Sequence, residues 1–433
     1  MKAALLLAIG TTTASAAGEW PSWRGPSGNG VAADGAKPPT EWAETKNVRW
    51  KAEIPGLGHS SPVVWGERVF ITSAIPFGEA VSPPVRDNAP GSHDNLPVAQ
   101  HHRFVALCYD RASGKLLWET KCHETFPHEG GHVSGSLASA SPVTDGKILI
   151  AFFGSHGLFA IEAASGKILW KKQLGKMATK HAHGEGSSPA LHGDTVIVNW
   201  DHEKESALYA FDKNNGRQLW KVERDEVTSW SSPLIVEHGG KPQVIVSASQ
   251  RVRGYDLASG KVIWECGGMS RNVVASPVSA DGMVYLGCSY DKRAMIAINL
   301  DGAKGDITDS DKVVWSTNKR TPYVPSPLLY DDTLYYLSHY QGILSVTHAK
   351  SGETKAGPFR VDALRNIYAS PVAANGHIYI TSREGLTVVI SHTDEPEPVA
   401  VNKLDDQISA SLAIAGDALF IRGEKHLYCI AEE

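Results

Sequence analysis

Apolar and polar residues alternate along this chain in short runs, and Gly, Asp and Asn cluster between the runs. The stretch from Pro189 to Trp220 shows the unit. Pro189-Ala-Leu-His192 leads into a Gly193-Asp194 turn, and Thr195-Val-Ile-Val-Asn199 follows with the period of a half-buried strand. Ala207-Leu-Tyr-Ala-Phe211 reads as a third strand. Asp212-Lys-Asn-Asn-Gly216 turns the chain, with Gly supplying positive φ, and Arg217-Gln-Leu-Trp220 starts a fourth strand.

This unit repeats. It opens at Ser61-Pro62, Ser141-Pro142, Ser188-Pro189, Ser232-Pro233, Ser276-Pro277, Ser326-Pro327 and Ser370-Pro371, with a degenerate eighth copy at Ser411-Leu412. Most openings are 41 to 50 residues apart; the first interval is 80, which places an insertion at about 75–103 in the first repeat. Four short antiparallel strands in a repeat of this length predict propeller blades. The fold class read from the pattern is therefore all-β: an eight-bladed β-propeller of four-stranded antiparallel blades. The last copy ends after His426-Leu-Tyr-Cys-Ile430, one strand short. Asn47-Val-Arg-Trp50-Lys-Ala-Glu-Ile54 has the form of the missing strand, so the N-terminal segment is predicted to close the ring and remove its exposed edge. Trp118, Trp170, Trp220, Trp264 and Trp315 recur at the same place in the fourth strand, where a large ring fits between neighbouring blades.

Composition narrows the class. The chain has 433 residues, 42% hydrophobic and 21% charged, with a formal net charge of −5 and no long run of Lys or Arg. Nucleic acid is therefore not an expected partner, since that affinity comes mainly from neutralised phosphates. Lys2 precedes a short apolar run, and Ala14-Ser15-Ala16 fits a cleavage site. Residues 1–17 are read as a secretory signal peptide and 18–433 as one propeller domain, exported to the periplasm or beyond. The apolar run is too short to span a bilayer, so no transmembrane segment is expected. Five cysteines are present, none adjacent; Cys108 and Cys122 flank a turn and are either bridged across it or buried as small apolar groups.

The blade pattern, as in Ala140-Ser-Pro-Val-Thr-Asp-Gly-Lys147 and Tyr255-Asp-Leu-Ala-Ser-Gly-Lys-Val-Ile-Trp264, resembles the pyrroloquinoline-quinone-binding-like propeller repeat. The opening Trp20-Pro-Ser-Trp-Arg-Gly-Pro-Ser-Gly28 is similar to the mature N-terminus of exported members. That family holds quinone-dependent dehydrogenases, an outer-membrane assembly scaffold lipoprotein and uncharacterised secreted propellers. The dehydrogenases use an adjacent cysteine pair and a metal ion held by Glu, Asn and Asp; this chain has no Cys-Cys pair and no lipid-acceptor Cys near the cleavage site.

Residues just before each Ser-Pro are expected around the channel mouth, where propellers bind ligands. They include His59, Trp230, Arg271, Asn272, Tyr323, Arg365, Asn366 and Tyr368. Arg271-Asn272 and Arg365-Asn366 stand at the same offset in two copies, and converging guanidinium groups suit a small anion. His128, His132, His181, His183 and Glu185 lie in two consecutive inter-blade connections and are candidate ligands for a transition metal. His93, His101 and His102 of the insertion can add to that set. The reading is a monomeric binding or scaffold module for a protein or a small anionic ligand at the funnel. The alternative is an oxidoreductase dependent on pyrroloquinoline quinone or a metal ion; the sequence assigns no cofactor and no catalytic residue.

Overall fold

The structure is a computed structural model that describes residues 18–86 and 89–432; the signal peptide expected over 1–17 lies outside the described residues. Eight sheets are arranged in a ring. Blade 1 is built from Val63–Trp65, Arg68–Phe77, His101–Asp110 and Leu116–Thr125, in that order, and the later blades repeat the meander. The first strands of successive blades touch one another around the axis. Inner strands are covered on both faces by neighbouring blades and lose their alternation: Val196 to Trp200 are all buried. The outermost strand, Gln218–Arg224, keeps an exposed face.

The N-terminal strand Val48–Glu53 pairs antiparallel with His426–Ile430 and completes blade 8, whose other strands are Ala413–Ala415 and Ala418–Arg422. The ring is thus closed by strands from the two ends of the chain. Trp50 joins the same scheme as the recurrent tryptophans, because its Nε1 donates to Arg111 O of blade 1 at 2.9 Å. Trp118, Trp170, Trp220 and Trp315 each donate in the same way to the next blade. Trp264 departs from this. Blade 5 replaces the short Gly-Lys turn by the longer excursion 300–312, in which Gly305–Asp306 pairs parallel to Val262–Cys266 as a fifth strand of blade 4. With no turn to lie on, the Trp264 ring folds into its own blade and donates to Gln243 Oε1 at 3.1 Å.

The Ser-Pro repeat has a structural meaning beyond marking blade starts. The backbone N–H of each opening serine donates to the hydroxyl of the next blade's serine, from Ser61 to Ser141 and onward to Ser411, at 2.8 to 2.9 Å. Seven junctions carry the bond. At the eighth, where the ring closes, Ser61 Oγ is buried without a partner. Proline follows serine at no cost because it stands one residue before the innermost strand begins, where no ladder N–H is needed.

The insertion is shorter than its composition suggests. Ile75–Phe77 pair with Arg103–His101, so the excursion is confined to 78–100. Cys108 and Cys122 are both free. Cys108 lies opposite Trp118, while Cys122 sits at a bulge beside Phe104 and Val105, so the register holds the two thiols apart along the strands.

Candidate functional site

In a four-stranded meander, the connection from the fourth strand to the next blade and the connection between the second and third strands emerge on the same face. The insertion is a second-to-third connection, so it rises beside the inter-blade loops. It is tied there by Leu96 N to Gly131 O at 2.9 Å, Val133 N to Asp94 O at 2.8 Å and Asn95 Nδ2 to His181 O at 2.8 Å.

These loops surround a central cavity of about 480 Å³. The floor is Trp23, carried on the segment that crosses the opposite mouth. That segment bridges the ring: Trp20 pairs with Val64 of blade 1, Asn29 exchanges hydrogen bonds with Ser279 of blade 5, and Ala32 N donates to Ala373 O of blade 7. One wall is aromatic. Tyr290 stacks on Tyr323 at 6.0 Å, Tyr340 on Tyr368 at 5.9 Å, and His339 lies between the pairs, 4.7 Å from Tyr323. The facing wall carries His59, His132, His183 and Glu185.

Polar atoms around this cavity lack partners in the protein. His59 Nε2, Ser61 Oγ, Asn272 Oδ1 and Ser409 Oγ are buried and unbonded, and all four residues line it. Buried polar atoms are rarely left so in a finished fold. Cations lie just behind the lining. Arg24, next to Trp23, donates only to the carbonyls of Pro371, Asn29 and Pro327. Arg422 donates to Ser60 and Thr72. Neither has a carboxylate partner among the described residues, and burial lowers both guanidinium groups to about 9. His59 is held down at about 3, first by burial and then by Arg422 and Arg383, and so stays neutral.

The predicted residues separate into groups. His59, Trp230, Asn272, Tyr323 and Tyr368 line the cavity. Arg271 does not: its side chain is 79% exposed and paired with Asp291 at 2.9 Å. Arg365 and Asn366 are exposed too, with Asn366 Nδ2 donating to Glu384, so the two Arg-Asn pairs do not converge. Of the metal candidates, His132, His181 and His183 come together, joined by His93. His128 turns away, its Nε2 2.9 Å from Met177 O, and packs on His156 at 5.8 Å. Glu185 also leaves that set: its carboxylate accepts from the backbone N–H of Ser155 at 2.6 Å and from the Ser155 hydroxyl. Burial raises the Glu185 carboxyl to about 7. Tyr290, His339 and Tyr340 were not among the sequence candidates because they come from second-to-third connections, which the Ser-Pro landmarks do not mark.

A quinone of the dehydrogenase kind does not fit these residues. All five cysteines are buried free thiols and none lines the cavity, so no disulfide platform exists. Glu185, the glutamate lining the cavity, is occupied by Ser155.

Comparison with known proteins agrees with the architecture. The family model described as outer membrane protein assembly factor BamB matches residues 102–356 and 268–433. Tetrathionate hydrolase of Acidithiobacillus ferrooxidans is 23% identical over 372 residues, covering 78% of this chain and 66% of that protein, so the chain spans just under two thirds of the enzyme's length. Outer membrane protein assembly factor BamB of Yersinia pestis is 24% identical over 310 residues, covering 69% of this chain and 68% of that one. Among solved structures, BamB from Moraxella catarrhalis superposes with a TM-score of 0.55 at 14% identity, covering 83% of this chain and 98% of the other. A quinohemoprotein alcohol dehydrogenase from Pseudomonas putida HK5 gives 0.55 at 9% identity, covering 95% and 80%. At these identities the structural likeness is one of fold. The repeat, the closed ring and the matched residues together place the chain in the BamB family of quinoprotein-like β-propellers.

Proposed function

We propose that this chain is an exported binding propeller that takes a small, planar, anionic ligand in its central cavity. The observation that carries the reading is the set of four unpartnered buried polar atoms around a floored cavity with stacked tyrosines on one side. A volume of about 480 Å³ lies in the range of small-molecule sites. Arg24 and Arg422, behind the lining rather than on it, favour negative charge there against the lining residue Asp94, because neither is neutralised by a carboxylate among the described residues. Export is supported by the N-terminal signal pattern and by the outer-membrane role printed for its BamB relatives. No helix among the described residues is long and apolar enough to cross a membrane.

The test is a fluorescence titration with 8-anilinonaphthalene-1-sulfonate, an aromatic sulfonate with a planar naphthalene ring. Saturable binding at one molecule per chain is expected. Tyr323→Ala combined with Tyr340→Ala should weaken it about 10–100-fold, since two aromatic contacts are removed. Leu169→Gln, on the exposed outer strand of blade 2, should leave it unchanged. Loss of binding in Leu169→Gln with retention in the tyrosine variant contradicts the reading.

A second reading is favoured by Glu185. Its carboxyl, raised to about 7, is bound to Ser155 at the edge of the cavity and of a small, mostly apolar chamber, and a group in that range serves as a general acid at neutral pH. With tetrathionate hydrolase among the relatives, the substrate class would be a small sulfur oxyanion. Incubation with tetrathionate followed by ion chromatography tests this: product formation abolished by Glu185→Gln supports it, and unchanged tetrathionate rejects it.

A further inference from the structure

Separate stretches of chain bring four imidazoles into contact beside the cavity mouth. His93 comes from the insertion, His132 from the connection between blades 1 and 2, and His181 and His183 from the connection between blades 2 and 3. Ring centres are 5.1 Å apart for His93 and His181, 4.8 Å for His93 and His183, and 5.3 Å for His181 and His183. Two imidazoles bound to one tetrahedral ion, with metal–nitrogen distances of about 2.0–2.1 Å, have ring centres about 5 Å apart. The three mutual distances therefore match a ligand set.

The ring nitrogens support the same reading. His93 Nδ1 lies 2.8 Å from Gly91 O, His181 Nδ1 3.0 Å from Pro90 O, and His183 Nε2 3.2 Å from His93 O. A carbonyl accepts only from N–H, so each contact fixes the tautomer and leaves the other nitrogen with its lone pair. Metal-binding histidines are held by their second nitrogen in this way. His132 differs: its Nδ1 accepts from Ser134 N at 3.1 Å, which puts the proton on Nε2 and makes it a neighbour of His183 rather than a ligand. The backbone is also forced. His181 and Ala182 are consecutive non-glycine residues in the left-handed region, at φ 56° and 52°, clasped through their carbonyls by Asn95 Nδ2. Such conformations persist where the surroundings impose them and cluster at functional sites. Among the described residues no three side chains of ligand type already surround one point. Taking up an ion therefore requires the rings to shift from these positions.

We propose that His93, His181 and His183 form a three-histidine site for a late first-row divalent metal ion, at the rim of the cavity. Nitrogen donors without thiolate or carboxylate suit zinc, copper or nickel rather than calcium or magnesium. Three protein ligands leave the fourth position for water or a ligand atom. The proposal stands whether or not the cavity binds an organic anion, because the ion is measured alone.

Calorimetric titration of the metal-free full chain with Zn²⁺ tests it, with Co²⁺ absorption as a second readout. One ion per chain is expected, with visible bands of four-coordinate Co²⁺. His181→Ala and His183→Ala should each weaken binding more than about tenfold and abolish those bands, with circular dichroism verifying the fold. His192→Ala, a half-buried histidine of blade 3 paired with Glu237 of blade 4, should leave both unchanged. Absence of saturable binding overturns the site. So does binding that survives in both His181→Ala and His183→Ala, or that His192→Ala weakens equally.

Discussion

The indole of Trp170 in blade 2 lies against Gly216 in the turn of blade 3, and its Nε1 donates to Lys213 O at 2.7 Å. Gly216 has φ +72°, and a Cβ there would stand 2.8 Å from the ring. The residue is thus required twice, by the turn and by the neighbour's tryptophan. Gly216→Ala is expected to cost about 2–4 kcal/mol, from a left-handed alanine plus the clash. Urea denaturation checks it. Gly193→Ala, also left-handed but with nothing near its would-be Cβ, should cost less.

Asp201 and Arg224 make a bidentate pair with side chains 0% and 1% exposed, at 2.7 and 3.0 Å, and Ser229 Oγ donates to the same carboxylate at 2.7 Å. Removing one partner strands the other charge. Asp201→Asn should destabilise by about 3–5 kcal/mol, whereas replacing both residues with apolar ones of similar volume should restore most of the loss. Denaturation midpoints of the single and double variants decide this.

Acid should loosen the fold through its neutral histidines. Burial holds His59 and His156 at about 3 and His183 at about 4, all below the ordinary 6.5. The unfolded chain therefore binds more protons from pH 6.5 down to about 3, and stability falls as pH drops through that window. His156 stacks on Phe104 at 4.1 Å, so His156→Phe should preserve the contact and flatten the fall. Glu185 has the opposite sign. Its carboxyl sits above the ordinary 4.5, a contribution complete below 4.5 and lost as pH rises to about 7, so Glu185→Gln should steepen the acid fall. Urea midpoints between pH 4.5 and 7.5 test both.

Much of the ring was legible in the chain. The Ser-Pro spacing, the turn glycines and the orphan strand around Trp50 are local signals, and each corresponds to a local device. The cavity was legible only by half. Residues before Ser-Pro were found because the repeat marks their loops, but Tyr290, His339 and Tyr340 lie in connections of irregular length that no repeat flags. The Arg271 and Arg365 pairs shared an offset, yet side-chain direction depends on the loop, and both arginines point outward. His93 reached the cluster by folding of the insertion, which spacing does not encode.

Backbone hydrogen exchange with and without 8-anilinonaphthalene-1-sulfonate tests most directly whether the cavity is the binding site. Slowed exchange is predicted at 228–231, 320–325 and 338–342, the loops carrying Trp230, Tyr323 and Tyr340. Slowing confined to the opposite face, around 21–28 and 189–193, or no slowing at saturating probe, would contradict the account.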